Sequence, residues 1–311
     1  MIVVPKRMLV LAHLSTVTLI AGLVLSSESS VGAQGQARKA YVSVVDRDGN
    51  PVKDMTAAEL EVKEGGRTQE ITLQPATNPL RIALIVADGG IGAYQSAAGN
   101  FMERLVRNAE FKVVSVVEQA ETLTSYTSSV PALSAAVQRL GKRTARRMGA
   151  QVLEAIVESI KDVPAEGKRP VIVVLRVGGE PPTTLRANVV RDELRKSGAK
   201  LYVISPIGGG GTGASGMGVT RSQSNQQGES DLGNAIVLNQ VIDDGSKESG
   251  GRHDQMTSSS LAKTVEQLAN ELLAEYEISY SLPAGTKPSD RLQVSAKRKN
   301  VRVFAPTRIP N

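Results

Sequence analysis

Hydrophobic residues follow two rhythms along this chain, and the change comes near residue 80. Before it, apolar and polar positions alternate. Tyr41 to Asp46 runs into the turn dipeptide Asp48-Gly49, and Glu59 to Glu64 puts Leu60 and Val62 on one face. Gly65-Gly66 supplies a two-residue hairpin turn, after which Thr68 to Leu73 returns with Ile71 and Leu73 inward. The pattern predicts a small antiparallel β unit over residues 34–77, too short to hold a core alone.

Beyond residue 80, unbroken apolar runs alternate with helical stripes. Arg81 to Ala87 reads as a strand buried on both faces, and so does Pro170 to Leu175. Phe111 to Val117, the threonine-rich Ala120 to Ser128 and Lys200 to Ile204 supply further strands. Helices are predicted over Gln95 to Asn108, from Pro131, and after Gly149 with Val152, Ile156 and Ile160 on one stripe. Two more run from Asn188 to Ser197, closed by Gly198, and from Leu261 to Ala274, where Ser260 can cap. Tyr276 to Tyr280 then alternates as a strand. This alternation predicts an α/β domain at residues 78–282, a doubly wound and mainly parallel sheet. Gly208 to Gly250 breaks the order: it is rich in Gly, Ser, Gln and Asn, and reads as a flexible insertion. One apolar patch within it, Ala235 to Ile242, has room for a short helix. Strands at Arg291 to Ala296 and Val301 to Phe304 form a C-terminal β segment, residues 283–311. It is expected beside the N-terminal hairpin, because domain termini often lie close together.

The N-terminus carries Lys6 and Arg7, a largely apolar stretch from Met8 to Leu25, and the small-residue pattern Val31-Gly32-Ala33. Residues 1–33 therefore read as an export signal, which predicts a periplasmic or secreted location. A retained membrane anchor is the alternative, although His13, Ser15, Thr16 and Thr18 dilute a run that only just reaches spanning length. The chain has no cysteine, which excludes disulfides and thiolate chemistry, and 3% aromatic residues with no tryptophan exclude stacking platforms for nucleic acid. Its net charge of +6 is too modest for a nucleic-acid footprint.

Asp88 is the leading candidate for chemistry. It ends the run Ile82-Ala83-Leu84-Ile85-Val86-Ala87 and opens the loop Gly89-Gly90-Ile91-Gly92, the place where α/β folds hold ligands. The Gly-x-Gly-x-x-Gly pattern at Gly208 to Gly213 lacks the following helix a dinucleotide needs, and reads as linker. Asp243, Asp244, Asp254 and His253 read as a solvated loop without calcium-loop spacing. A hydrolase built on His253 is a further alternative, but no Gly-x-Ser-x-Gly elbow accompanies it. Two basic groups, Lys142, Arg143, Arg146 and Arg147, then Lys297, Arg298, Lys299 and Arg302, are either solvated surface or a patch for an acidic partner.

In order and landmarks the chain resembles a von Willebrand factor type A domain, and more narrowly the exported, acidobacterial-type bacterial group called VWFA-related proteins. The opening resemblance lies in Val42-Ser43-Val44-Val45-Asp46-Arg47-Asp48-Gly49-Asn50-Pro51-Val52 and Glu59-Leu60-Glu61-Val62-Lys63-Glu64-Gly65-Gly66. The closing one lies in Ser249-Gly250-Gly251-Arg252, the helix through Leu268, and Tyr276-Glu277-Ile278-Ser279-Tyr280. The resemblance implies a metal-ion-dependent adhesion site built from an Asp-x-Ser-x-Ser loop, a distant threonine and a second aspartate. Only the first aspartate is kept, as Asp88; Gly90, Gly92, Ala150 and Val177 stand at the other positions, with Arg176 adding positive charge. The expectation is a non-catalytic, adhesion-type binding module with a degenerate metal site and no cofactor. Its partner would be a protein or cell-envelope component, met through Asp88, Arg176, Arg143, Arg146 and Arg147. A magnesium- or manganese-dependent adhesion module is the alternative that keeps the metal.

Overall fold

The computed structural model describes residues 36–117, 119–142, 151–177, 183–207 and 236–310. Its centre is a six-stranded sheet. In chain order the strands are β5 (Leu80–Ala87), β6 (Ala109–Val116), β7 (Ala120–Thr127), β8 (Arg169–Arg176), β9 (Lys200–Pro206) and β10 (Arg252–Met256). They lie in the spatial order β10-β9-β8-β5-β6-β7. All neighbours are parallel except β7, which returns antiparallel on β6 through an irregular register. Counted within this sheet, the order is the doubly wound 3-2-1-4-5-6, which reverses beside its first strand.

Helices cover both faces. On one lie α1 (Gln95–Leu105) and α2 (Val130–Arg139), with α6 (Leu261–Leu273); on the other lie α3 (Val152–Asp162) and α4 (Ala187–Ser197). A fifth helix, α5, occupies residues 236–249 and joins the second face. Because β5 faces both layers, Ile82, Leu84 and Val86 enter one core while Ala83, Ile85 and Ala87 enter the other. That double burial is why the strand reads as an unbroken apolar run.

The remaining strands, β1 (Gln36–Asp46), β2 (Leu60–Glu64), β3 (Arg67–Thr68), β4 (Thr72–Pro75), β11 (Tyr276–Leu282), β12 (Leu292–Ala296) and β13 (Val301–Phe304), build two small antiparallel sheets. One runs β13-β1-β11-β4 and the other β12-β2-β3. The hairpin turn at Gly65-Gly66 forms with positive φ at both residues, but the return is split. β3 pairs with β2, whereas β4 crosses to β11. A shared core of Val42, Val44, Leu60, Val62, Ile278, Tyr280 and Leu292 holds the sheets together. Glu275, just before β11, is buried; it accepts from Arg169 at 2.7 Å and from Lys200 at 2.5 Å. Those two cations open β8 and β9, so one carboxylate ties the β unit to the N-terminal edge of the central sheet.

Two elements lie in or just after the stretch read as insertion: the short helix for which Ala235 to Ile242 leaves room, which runs on to residue 249, and a strand where the sequence reads as loop. Helix α5 passes through a π turn at Gln240–Gly245, buries Leu238, Val241 and Ile242, and ends on Gly250 at φ +83°. The second is β10. Its polar sequence hid it, because an edge strand can satisfy polar side chains laterally: Arg252 pairs with Asp254 and Glu271 and faces the Tyr202 and Phe304 rings. The preceding Gly251 is required by contact, since a Cβ there would lie 2.0 Å from the Leu201 carbonyl oxygen.

Candidate functional site

Asp88 is the first residue beyond β5, at the C-terminal edge of the central sheet, and is buried. Its Oδ1 accepts from the Gly90 amide at 3.0 Å and its Oδ2 from the Tyr94 amide at 3.4 Å. The carboxylate therefore behaves as a turn residue that folds the following backbone around itself. Such a fold needs left-handed backbone, and Gly89, Gly90 and Gly92 supply it at φ +68°, +81° and +76°. Serines at positions 90 and 92 would be strained in this loop.

Two further contacts brace it. The Tyr94 hydroxyl donates to the Arg176 carbonyl at 2.6 Å, linking the loop after β5 to the end of β8. Burial pushes the Tyr94 phenol up to about 12; nearby Asp88 adds to the rise and nearby Arg176 opposes it. Gly141, after α2, comes so close to Gly92 that a Cβ on it would sit 2.7 Å from the Gly92 Cα. The space beside the loop is thus filled by backbone. Ile91, at the loop tip, is 74% exposed.

A magnesium ion takes about six oxygens in near-octahedral array. Here the lone carboxylate is engaged by two amides, positions 90, 92 and 177 carry no side-chain oxygen, and Val177 packs against the core. Among the described residues no three Asp, Glu, His or Cys side chains gather as a metal group. Of positions 88, 90, 92 and 177, Asp88 alone carries a side-chain oxygen.

Arg176 is buried at the end of β8, next to the strand that carries Asp88. Arg143, Arg146, Arg147 and Ala150 lie outside the described residues, as do residues 1–33 and the Gly208 to Gly213 pattern; Lys142 is exposed. In the second basic group, Arg298 pairs with Glu59 at 2.7 Å and Asp54 at 2.8 Å, and Lys297 donates to the Ala58 carbonyl. These two therefore clamp a turn of the β unit. Among the described residues, no helix is long and apolar enough to cross a membrane.

The loop expected around His253 is replaced by a built cluster. His253 Nε2 lies 2.7 Å from Ser205 Oγ, and its Nδ1 lies 2.6 Å from Asp243 Oδ1. Sequence reasoning singled out His253 and Asp243 but missed Ser205, Tyr94 and Gly141. Only Gly141 carried a signal, as a glycine directly after an apolar helix; the roles of the others depend on tertiary contacts.

No family model and no curated protein matches the chain. Solved structures do. Proximal thread matrix protein 1 from the mussel byssus is 10% identical at a TM-score of 0.44, over 65% of this chain and 49% of its own. The match thus spans about half the length of that protein. A von Willebrand factor type A protein from Catenulispora acidiphila is 11% identical at a TM-score of 0.41, over 90% of this chain and 75% of its own. The von Willebrand domain of the type V pili tip protein from Porphyromonas gingivalis is 10% identical at 0.43, covering 63% and 96%. The assignment of fold rests on the strand order rather than on these scores. With a mainly parallel sheet ordered 3-2-1-4-5-6, one antiparallel edge strand and helices on both faces, the chain has a doubly wound, von Willebrand factor A-like α/β fold.

Proposed function

We propose that this chain is an extracytoplasmic, adhesion-type binding module that engages a protein or cell-envelope component without a metal ion and without catalysis in the attachment step. One observation carries the reading. The carboxylate that would anchor a cation is spent on the Gly90 and Tyr94 amides, and the neighbouring space is taken by Gly141. Attachment then depends on shape and charge at the C-terminal edge of the sheet, where Asp88, Ile91 and Arg176 stand. In this reading the arginines Arg143, Arg146 and Arg147 of the sequence also meet the partner, supplying positive charge in place of the cation. The leader-like residues 1–33 and the absence of cysteine accord with an exported protein whose stability comes from its cores.

The test is metal dependence. An ion present at a hundred times its Kd would stabilise the fold by about 2.7 kcal/mol, a rise in Tm of about 5–10 °C for a domain of this size. Melting with magnesium, manganese or a chelator should coincide within about 1 °C on that scale. Retention of the chain on isolated envelope material should likewise be indifferent to chelator. An ion-dependent rise in Tm, or release by chelator, would favour the metal-dependent adhesion module and end this proposal.

A further inference from the structure

Three side chains that attachment leaves unused form a relay at the C-terminal edge of the sheet. Ser205 sits at the penultimate position of β9, His253 on β10 and Asp243 on the π turn of α5. The contacts run Ser205 Oγ to His253 Nε2 at 2.7 Å, then His253 Nδ1 to Asp243 Oδ1 at 2.6 Å. With a neutral imidazole, Nδ1–H donates to the carboxylate and Nε2 accepts the serine proton. This is the order in which serine hydrolases arrange nucleophile, base and orienting carboxylate.

The surroundings suit the same chemistry. Ser205 and the His253 side chain are 4% and 9% exposed, so the imidazole is shielded from bulk water, while Asp243 is half exposed. A π turn widens a helix locally and recurs at functional sites; here it carries the carboxylate that meets His253. The last paired residues of β8 and β9 are Leu175 and Ile204. One step further, Arg176 and Ser205 are neighbours, and strand alternation places both on the face of Val174 and Val203. Ser205 thus stands where the central strands end, at the edge where doubly wound sheets hold ligands.

We propose that Ser205 is an activated nucleophile and that the chain carries a second activity, hydrolysis of carboxylic esters. Ser205 Oγ bonds to the carbonyl carbon as its proton passes to His253 Nε2. The bond from that carbon to the alkoxy oxygen then breaks, and the departing alcohol takes the proton from His253. A water molecule, giving its proton to the same nitrogen, adds to the acyl-serine; the carboxylic acid leaves and the serine regains its hydrogen. Ser205 and His253 are the catalytic residues, and Asp243 is a positioning residue. The activity is independent of the attachment reading, because each has its own readout.

The full chain is treated with a fluorophosphonate probe and the adduct is located by mass spectrometry, alongside hydrolysis of p-nitrophenyl acetate. The expected result is a single adduct on Ser205, with labelling and turnover both abolished by Ser205→Ala. His253→Gln should slow turnover by about 10²–10⁴-fold, the usual loss for a general base. Asp243→Asn should slow it less, and Asp243→Glu should recover part of the rate, which a merely structural carboxylate would not do. If a variant fails to fold, the adduct map of the unmodified chain decides alone. No adduct at Ser205, or labelling unchanged in folded His253→Gln, overturns the proposal.

Discussion

Replacing Gly141 by alanine tests whether its backbone packs directly against the Asp88 loop. Gly141 has φ +74°, a conformation that costs an L-residue roughly 1–2 kcal/mol. The new methyl would lie 2.7 Å from Gly92 Cα and 3.0 Å from Gly92 nitrogen. Carbon atoms prefer about 3.5–4.0 Å, so the two loops must part by roughly 1 Å, an overpacking cost of about 1–3 kcal/mol. Together the terms give about 2–5 kcal/mol, or a fall in Tm of at least about 4 °C. Gly92→Ala is the internal control: its φ of +76° carries a similar conformational cost, but its methyl meets Gly141 Cα only at 3.4 Å. Urea unfolding of both variants should therefore rank Gly141→Ala as the more damaging. If Gly141→Ala stays within about 0.5 kcal/mol of the parent, the range of ordinary surface changes, or if the ranking inverts, the loops are not in contact.

Three other expectations are accessible by the same methods. Tyr94→Phe removes the hydroxyl that donates to the buried Arg176 carbonyl, and should cost about 1–3 kcal/mol in urea unfolding. Glu275→Gln leaves Arg169 and Lys200 buried without their anion; a loss of about 3 kcal/mol is expected, and a neutral result would mean that the β unit is not tied on by charge. Hydrogen bonds from Arg298 and then from the Thr56 amide lower the Glu59 carboxyl from 4.5 to about 2. A depressed acid stabilises the fold above its unfolded pKa, so this contribution is complete above pH 4.5 and disappears as pH falls toward 2. Urea midpoints of Arg298→Gln should show a shallower decline across that window than the parent; identical declines would contradict the assignment.

Much of the architecture was legible because burial writes itself into composition. The middles of β5 and β8, Ile82 to Ala87 and Val171 to Leu175, are unbroken apolar runs since both faces are covered, and α3 and α6 show their stripes since only one face is. β10 was illegible for the opposite reason. Arg252, His253 and Asp254 look like a hydrated loop until Glu271, Ser205 and Asp243 are brought up from distant segments to meet them. Of the candidate site, Asp88 could be placed from its position after an apolar strand. Its actual partners could not, because both are backbone amides whose arrival depends on the glycine angles. The expectation that Arg176 adds charge near Asp88 missed the element that joins them, Tyr94, which touches the aspartate through its amide and the arginine through its hydroxyl.

The pairing of β1 sets a schedule for folding. Its partners, β11 and β13, come after the entire central sheet in sequence, so a chain emerging from its N-terminus makes β1 long before anything can zip onto it. Val42 and Val44 must stay unclaimed throughout that interval, and contacts closed over so long a loop form slowly. The small sheets are then the last part to assemble. A product broken off before Tyr276 would carry a sticky, unmated strand, a target for quality-control proteases and a seed for aggregation.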